Sequence, residues 1–97
     1  MRTLEEIKAE LETLKPTLKK RFQVETIDIW SYARKQATEK SDIDLLVTYS
    51  TMDYDYFMII SLKKYLRRKL HVKVDIVSKE FLNKNIKDEV LKQAIRV

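Results

Sequence analysis

Residues Trp30 to Val47 read WSYARKQATEKSDIDLLV, and this stretch decides the fold because it ends in a strand that carries acidic side chains. Ile43 to Val47 is an apolar run of strand length, with Asp44 inside it and Asp42 directly before it. A buried carboxylate is costly unless it is paired or binds a cation. The two aspartates therefore indicate either that the strand is misread or that the carboxylates have a task.

The alternation of side chains along a strand places the two carboxylates together. Asp42 and Asp44 point to one face, while Ile43, Leu45 and Val47 point to the other face and into the core. Two carboxylates one strand repeat apart can hold a hard divalent cation. Mg²⁺ suits such a site because it takes oxygen ligands and keeps several waters.

A third acidic residue has a comparable position further along the chain. Asp75 lies in the strand predicted over Val72 to Val77, in which Val74 and Ile76 alternate as core residues. Asp75 is therefore predicted to face outward. If this strand lies beside the strand of Asp44, all three carboxylates converge on one face. An Asp-x-Asp pair is common by chance, so a metal site needs further support.

Length and composition predict one domain over residues 1–97. The apolar fraction of 44% is sufficient for a core, and the charged fraction of 36% is above the usual share. The chain has no cysteine, which excludes disulfides and thiolate zinc sites and favours a cytoplasmic location. The first six residues are too acidic for a signal peptide, and no apolar run is long enough to span a membrane.

Charge and glycine content constrain the partners and the turns. The net charge of +5 permits an anionic partner, such as a nucleotide or RNA, but does not require one. The chain contains no glycine, whereas ordinary usage would give roughly seven in a chain of this length. Every turn, and every close approach of the backbone to a phosphate, must therefore be made without glycine.

The remaining pattern predicts elements in the order α-α-β-α-β-α-β-α. A capping box begins at Thr3, and Pro16 is predicted to divide the first helical stretch in two. The predicted helical segments are residues 4–14, 16–22, 31–35, 54–70 and 86–95, and the predicted strands are 24–29, 43–48 and 72–77. Residues 79–83 are predicted to form a short turn or helix. This order favours an α/β (α+β) domain in which a small mixed sheet has its helices mainly on one face.

The helix predicted over residues 54–70 has two notable faces. Its core side is predicted to carry apolar residues at Phe57, Ile60, Leu66 and Leu70. Its end is loaded with cations at Lys63, Lys64, Arg67, Arg68 and Lys69. Cations near a helix C-terminus complement its dipole, so a solvated face is the favoured interpretation. The alternative is a docking patch for RNA or for an acidic partner.

Residues 30–44 resemble the signature of the DNA polymerase β-like nucleotidyltransferases, in which Gly-Ser is followed by ten residues and then by Asp-x-Asp. Ser31 is followed here by ten residues and by Asp42-Ile43-Asp44. The closer resemblance is to the minimal nucleotidyltransferases (MNT). Ser31–Arg34 is similar to their motif Gly-Ser-x-Ala-Arg-Gly, and Ser41–Leu45 is similar to their motif Ser-Asp-Ile-Asp-Leu. Val74–Val77 resembles the strand that carries their third carboxylate. The resemblance covers essentially the whole chain and implies the nucleotidyltransferase fold.

The resemblance also implies a reaction. A nucleotide, in this case AMP from ATP, is transferred to a protein hydroxyl with Mg²⁺, and two metal ions can stabilise the entering and leaving oxygens. By this analogy, Asp42 and Asp44 hold the metals. Asp75 completes the site on the side of the nucleophile and accepts the proton.

The phosphate-binding part of the signature is only partly present. The resemblance implies that Ser31 and the backbone N–H groups that follow it, beginning at Tyr32, hold the β- and γ-phosphates. Arg34 either supplies positive charge or braces the loop. Trp30 and Lys35 replace the two glycines of the motif, and a Cβ at such positions hinders the approach of the backbone to phosphate. The indole of Trp30 could block the entry of the triphosphate or could swing clear and stack on the base. The favoured interpretation is partial or complete loss of activity.

Three functions are compatible with the sequence. The first is an antitoxin-type adenylyltransferase, for which the resemblance implies a HEPN-type ribonuclease toxin as partner. The second is a non-catalytic module that keeps the fold and neutralises a partner by contact, which Trp30 favours. The third, an RNA-binding protein, depends on charge alone and is the weakest, so neither nucleic acid nor a membrane is expected as a partner. The acceptor, the base preference and the oligomeric state are left open.

Overall fold

The computed structural model describes residues 3–30 and 43–97, which form three α-helices, a short 3₁₀ helix and one four-stranded sheet. The helices are α1 (Leu4–Phe22), α2 (Tyr56–Leu70) and α3 (Lys84–Gln93), the 3₁₀ helix is Lys79–Phe81, and the strands are β1 (Val24–Trp30), β2 (Ile43–Tyr49), β3 (Val74–Ser78) and β4 (Ile95–Arg96). None of the helices in these ranges combines the length and the apolar composition needed to cross a membrane.

The sheet is mixed, with the strand order β3-β2-β1-β4. β1 is antiparallel to both β2 and β4, whereas β2 is parallel to β3. A parallel pair needs a crossover connection, and α2 lies in the connection between β2 and β3. The prediction of a small mixed sheet with an α+β architecture is confirmed.

α1 is one helix, so the prediction that Pro16 divides it in two was wrong. Thr3 caps its start, because the Thr3 hydroxyl accepts from the Glu6 backbone N–H and the Glu6 carboxylate accepts from the Thr3 N–H, each at 3.1 Å. Apolar residues then recur every three or four positions along one buried stripe: Ile7, Leu11, Leu14, Leu18 and Phe22. Pro16 lies on the exposed side of the helix. Burial of the continuous stripe outweighs the one backbone hydrogen bond that proline removes.

The main core lies between one face of the sheet and helices α1 and α2. α2 contributes a stripe at four-residue spacing that includes Leu62, Leu66 and Leu70. Extending this spacing backwards leads to Met58, which is partly buried against the core. Phe57 was predicted on the core side, but 76% of it is exposed, because it lies one position off this stripe.

Helices α1 and α2 both end at a residue in the left-handed conformation. Gln23 has φ 56° and His71 has φ 57°. The His71 N–H donates to the Arg67 carbonyl at 2.9 Å, and the Gln23 N–H donates to the Lys19 carbonyl at 3.1 Å. Glycine is the usual residue at such a helix end, so this chain makes both terminations with side chains that carry a Cβ.

The end of the chain forms a strand that was not predicted. The helix predicted to Ile95 stops at Gln93, and β4 pairs with the free edge of β1. The Val97 N–H extends this pairing by donating to the Ile27 carbonyl at 3.0 Å. Two residues are too few for a visible alternation, so no sequence pattern marked β4. The pairing satisfies backbone groups at an edge of the sheet that would otherwise face water.

Candidate functional site

Three side chains form a row across the face of the sheet that is opposite the main core. Trp30 of β1 is the register partner of Asp44 in β2, and Asp44 is the register partner of Asp75 in β3. Register partners on neighbouring strands point to the same face. The next row, which includes Ile29 and Leu45, is buried in the main core. The structure therefore places Asp44 and Asp75 side by side, with the half-buried indole of Trp30 next to Asp44.

Four predicted site residues lie outside the described residues, namely Ser31, Tyr32, Arg34 and Asp42. Their roles stay predictions. Within residues 3–30 and 43–97, no three side chains of the ligand-forming types lie close enough together to hold a metal ion. Asp44 and Asp75 thus supply two of the three predicted carboxylates in the described part of the chain.

Asp75 forms an ion pair with a lysine of α2. The Lys63 Nζ lies 2.9 Å from the Asp75 Oδ1, and the two side chains are 35% and 46% exposed. β3 is an edge strand, which allows a side chain from the core-side helix to reach a carboxylate on the other face. An ion pair this exposed contributes little to stability, about 0–1 kcal/mol. The main effect of the ion pair is therefore electrostatic, because it places the positive charge of Lys63 beside the Asp75 carboxylate.

Asp28 is a buried carboxylate whose partners the sequence did not indicate. It lies on the same face as Asp44, and only 3% of it is exposed. Lys79 Nζ donates to its Oδ2 at 2.6 Å, and Arg96 Nε donates to its Oδ1. Burial by itself would raise the pKa of Asp28, but the hydrogen bonds and charges of Arg96 and Lys79 outweigh burial and hold the pKa below its usual value. The cluster links β1 to β4 and to the 3₁₀ helix.

No local pattern could have revealed this cluster. Lys79 and Arg96 lie 51 and 68 residues from Asp28 along the chain. Arg96 lies opposite Asp28 only because β4 pairs with β1. Asp28 thus fixes the strand that leads to Trp30, and it is a structural neighbour of the carboxylate row.

The sequence and the fold match a known family. The family model described as polymerase beta, nucleotidyltransferase matches residues 12–97. The chain belongs to this nucleotidyltransferase family. The resemblance of the sequence to the nucleotidyltransferases is thereby confirmed.

Relatives within the family match nearly the whole chain. The chain is 42% identical to a putative protein adenylyltransferase of Methanocaldococcus jannaschii over 98 residues, which cover 94% of this chain and 98% of the relative. It is 38% identical to protein adenylyltransferase MntA of Thermococcus cleftensis over 98 residues, which cover 100% of this chain and 98% of that protein.

Solved structures agree on the fold. A structure described as a putative minimal nucleotidyltransferase matches with a TM-score of 0.79 and 33% identity, covering 99% of this chain and 97% of that one. A complex of a tri-AMPylated HEPN toxin with an MNT antitoxin from Shewanella oneidensis matches with a TM-score of 0.65 and 18% identity, covering 93% and 70%. The second likeness concerns the fold alone.

Proposed function

We propose that this protein is a Mg²⁺-dependent adenylyltransferase that moves AMP from ATP to a hydroxyl of a protein partner. The observation that supports this most directly is the register of Asp44 with Asp75 on the outer face of a nucleotidyltransferase sheet. A reaction at a triphosphate needs concentrated positive charge, and neighbouring carboxylates are the groups that can bring divalent cations to it.

The donor set fits the metal. Asp42, Asp44 and Asp75 offer only carboxylate oxygens, which Mg²⁺ prefers. When bound, the metal neutralises charge at the α-phosphate and on the leaving pyrophosphate. The hydroxyl oxygen of the partner forms a bond to the α-phosphorus, while the bond from the α-phosphorus to the bridging β-phosphate oxygen breaks and pyrophosphate leaves. Asp75 receives the proton of the hydroxyl. Ser31 and the backbone N–H groups that begin at Tyr32 hold the β- and γ-phosphates, and Arg34 either supplies positive charge near them or braces the loop.

The partner we propose is a HEPN-type toxin. One similar solved structure is described as a tri-AMPylated HEPN toxin with an MNT antitoxin, and two similar proteins are named protein adenylyltransferases. The acceptor would then be a hydroxyl on that toxin. In this proposal the protein acts as the antitoxin by covalent modification of its partner.

A second candidate function is favoured by Trp30. Its indole is the register neighbour of Asp44, at the position where the motif has a glycine that lets the backbone approach phosphate. Lys35 replaces the second motif glycine. If these side chains prevent the entry of ATP, the protein is an inactive nucleotidyltransferase-fold module that neutralises the toxin by contact. If they only hinder entry, the reaction is slow but present.

One assay separates the two functions. The protein is incubated with Mg²⁺, ATP labelled in the α-phosphate and a HEPN toxin, and the label on the toxin is measured. We expect label with the wild type, none with Asp44→Asn, and undiminished label with Asp53→Asn, which removes the same charge at an exposed position. Equal label with Asp44→Asn would contradict the proposed site. Inhibition of the toxin without ATP, together with no label, would establish the contact mechanism instead.

A further inference from the structure

Lys63 connects helix α2 to the carboxylate row. Its Nζ is 2.9 Å from the Asp75 Oδ1, whereas the stripe of α2 that packs on the sheet belongs to the main core on the other face. The ion pair therefore joins the core-side helix to a residue of the edge strand β3 that belongs to the carboxylate row. Lys63 is only partly buried and is not one of the buried residues of α2 that form the apolar stripe.

The ammonium and a divalent cation seek the same oxygens. Asp75 lies next to Asp44 in the register, and two neighbouring carboxylates repel each other unless a cation lies close to them. In the protein without metal, Lys63 supplies positive charge at this place. A metal ion that binds Asp75 must either displace the ammonium or remain close to it, and the repulsion between two cations a few ångströms apart is large.

We infer that Lys63 is a built-in competitor of the divalent cation at Asp75. It stabilises the metal-free arrangement of the carboxylates and raises the Mg²⁺ concentration at which the site fills. This inference rests on the proposed function, because it takes Asp75 as a metal ligand. Lys63 acts through Asp75, so it is a positioning residue and not a catalytic one.

The chain offers a matched control at the next residue. Lys64 carries the same charge on the same helix but is exposed, and it lines a different surface with Arg21 and Tyr65. In the described part of the chain, Lys64 forms no ion pair with a carboxylate. Replacing either lysine by methionine removes one positive charge and keeps an unbranched apolar stem. Any difference between the two variants therefore reports the local effect of the ion pair.

The test measures the affinity for Mg²⁺ alone, without nucleotide. Wild type, Lys63→Met and Lys64→Met are titrated by calorimetry, and the dependence of the melting temperature on Mg²⁺ provides a second reading. We expect Lys63→Met to bind Mg²⁺ about two- to fivefold more tightly than the wild type, the range set by an exposed ion pair. Lys64→Met should change the affinity by less than about 1.5-fold, through the long-range charge alone.

Four outcomes would overturn the inference, and they can be told apart. Equal tightening in both variants would mean that only net charge matters. Unchanged binding in Lys63→Met would mean that the ion pair does not affect the metal. Weaker binding would mean that the lysine orients Asp75 for the metal instead of competing with it. If neither the wild type nor Lys63→Met binds Mg²⁺, the proposed metal site itself is refuted, and the inference fails with it.

Discussion

Replacing Asp28 by asparagine should destabilise the protein by about 3 kcal/mol at neutral pH. Breaking a fully buried ion pair costs about 3–5 kcal/mol, because the remaining charge is left without its partner. The side chain of Lys79 is 13% exposed and would lose its anion in a nearly dry site, whereas that of Arg96 is 59% exposed and would regain water. The expected loss therefore lies near the lower end of that range.

The effect of Asp28 should also depend on pH, with a sign that the structure fixes. Its pKa in the folded protein is held below the ordinary value of 3.8. A carboxyl group with a lowered pKa stabilises the fold fully above its ordinary pKa, and this stabilisation is lost as the pH falls through the lowered one. The difference in stability between wild type and Asp28→Asn should thus be constant from pH 7 to about pH 5, and it should shrink below the ordinary pKa.

Urea unfolding followed by circular dichroism at several pH values measures both effects. The matched control is Asp88→Asn, which removes the same charge from an exposed position on α3 and should change the free energy of unfolding by less than about 0.5 kcal/mol. A loss for Asp28→Asn that is no larger than that of the control would refute the reasoning. So would a difference from the wild type that stays the same at pH 7 and pH 2.5.

Three further variants test the site and the helix that follows it. Trp30→Gly should bind Mg²⁺-ATP more tightly in a calorimetric titration, because the indole beside Asp44 no longer occupies space at the proposed phosphate site. An unchanged affinity would show that the site tolerates the indole. Mg²⁺ should raise the melting temperature of the wild type but not of Asp44→Asn, since the cation relieves repulsion between the carboxylates. An equal rise in both proteins would mean that the ion binds elsewhere. Asp55→Ala should cost about 1 kcal/mol in urea unfolding, because its carboxylate caps α2 by accepting the Met58 N–H at 2.8 Å. Asp53→Ala is the control, and an equal loss would contradict the cap.

The sheet could be predicted because its strands carry their own pattern. Ile43 to Val47 and Val74 to Ile76 alternate or run apolar, so local sequence was enough to place Asp44 and Asp75 on the outer side of their strands. That the two strands are neighbours is a non-local fact. The periodicity of the sequence does not predict that β3 lies beside β2. The structure shows that it does.

Phe57 was misplaced by one position within α2, but the other features that escaped prediction depend on contacts between distant parts of the chain. Pro16 breaks the local rule for helices, but the burial of the α1 stripe against the sheet overrides that rule. β4 exists because β1 offers a free edge. The partners of Asp28 and the reach of Lys63 to Asp75 depend on the assembled topology.

The left-handed ends of α1 and α2 have a consequence for the unfolded chain. Gln23 and His71 each bear a conformational cost of about 1–2 kcal/mol that glycine would avoid. Each glycine absent from an unstrained turn restricts the denatured ensemble, by about 0.4–1 kcal/mol in favour of the native state. Over the roughly seven glycines of an ordinary chain of this length, that restriction is of the same order as the two local costs. The lack of glycine therefore favours the folded protein by reducing the number of backbone conformations available to the denatured chain.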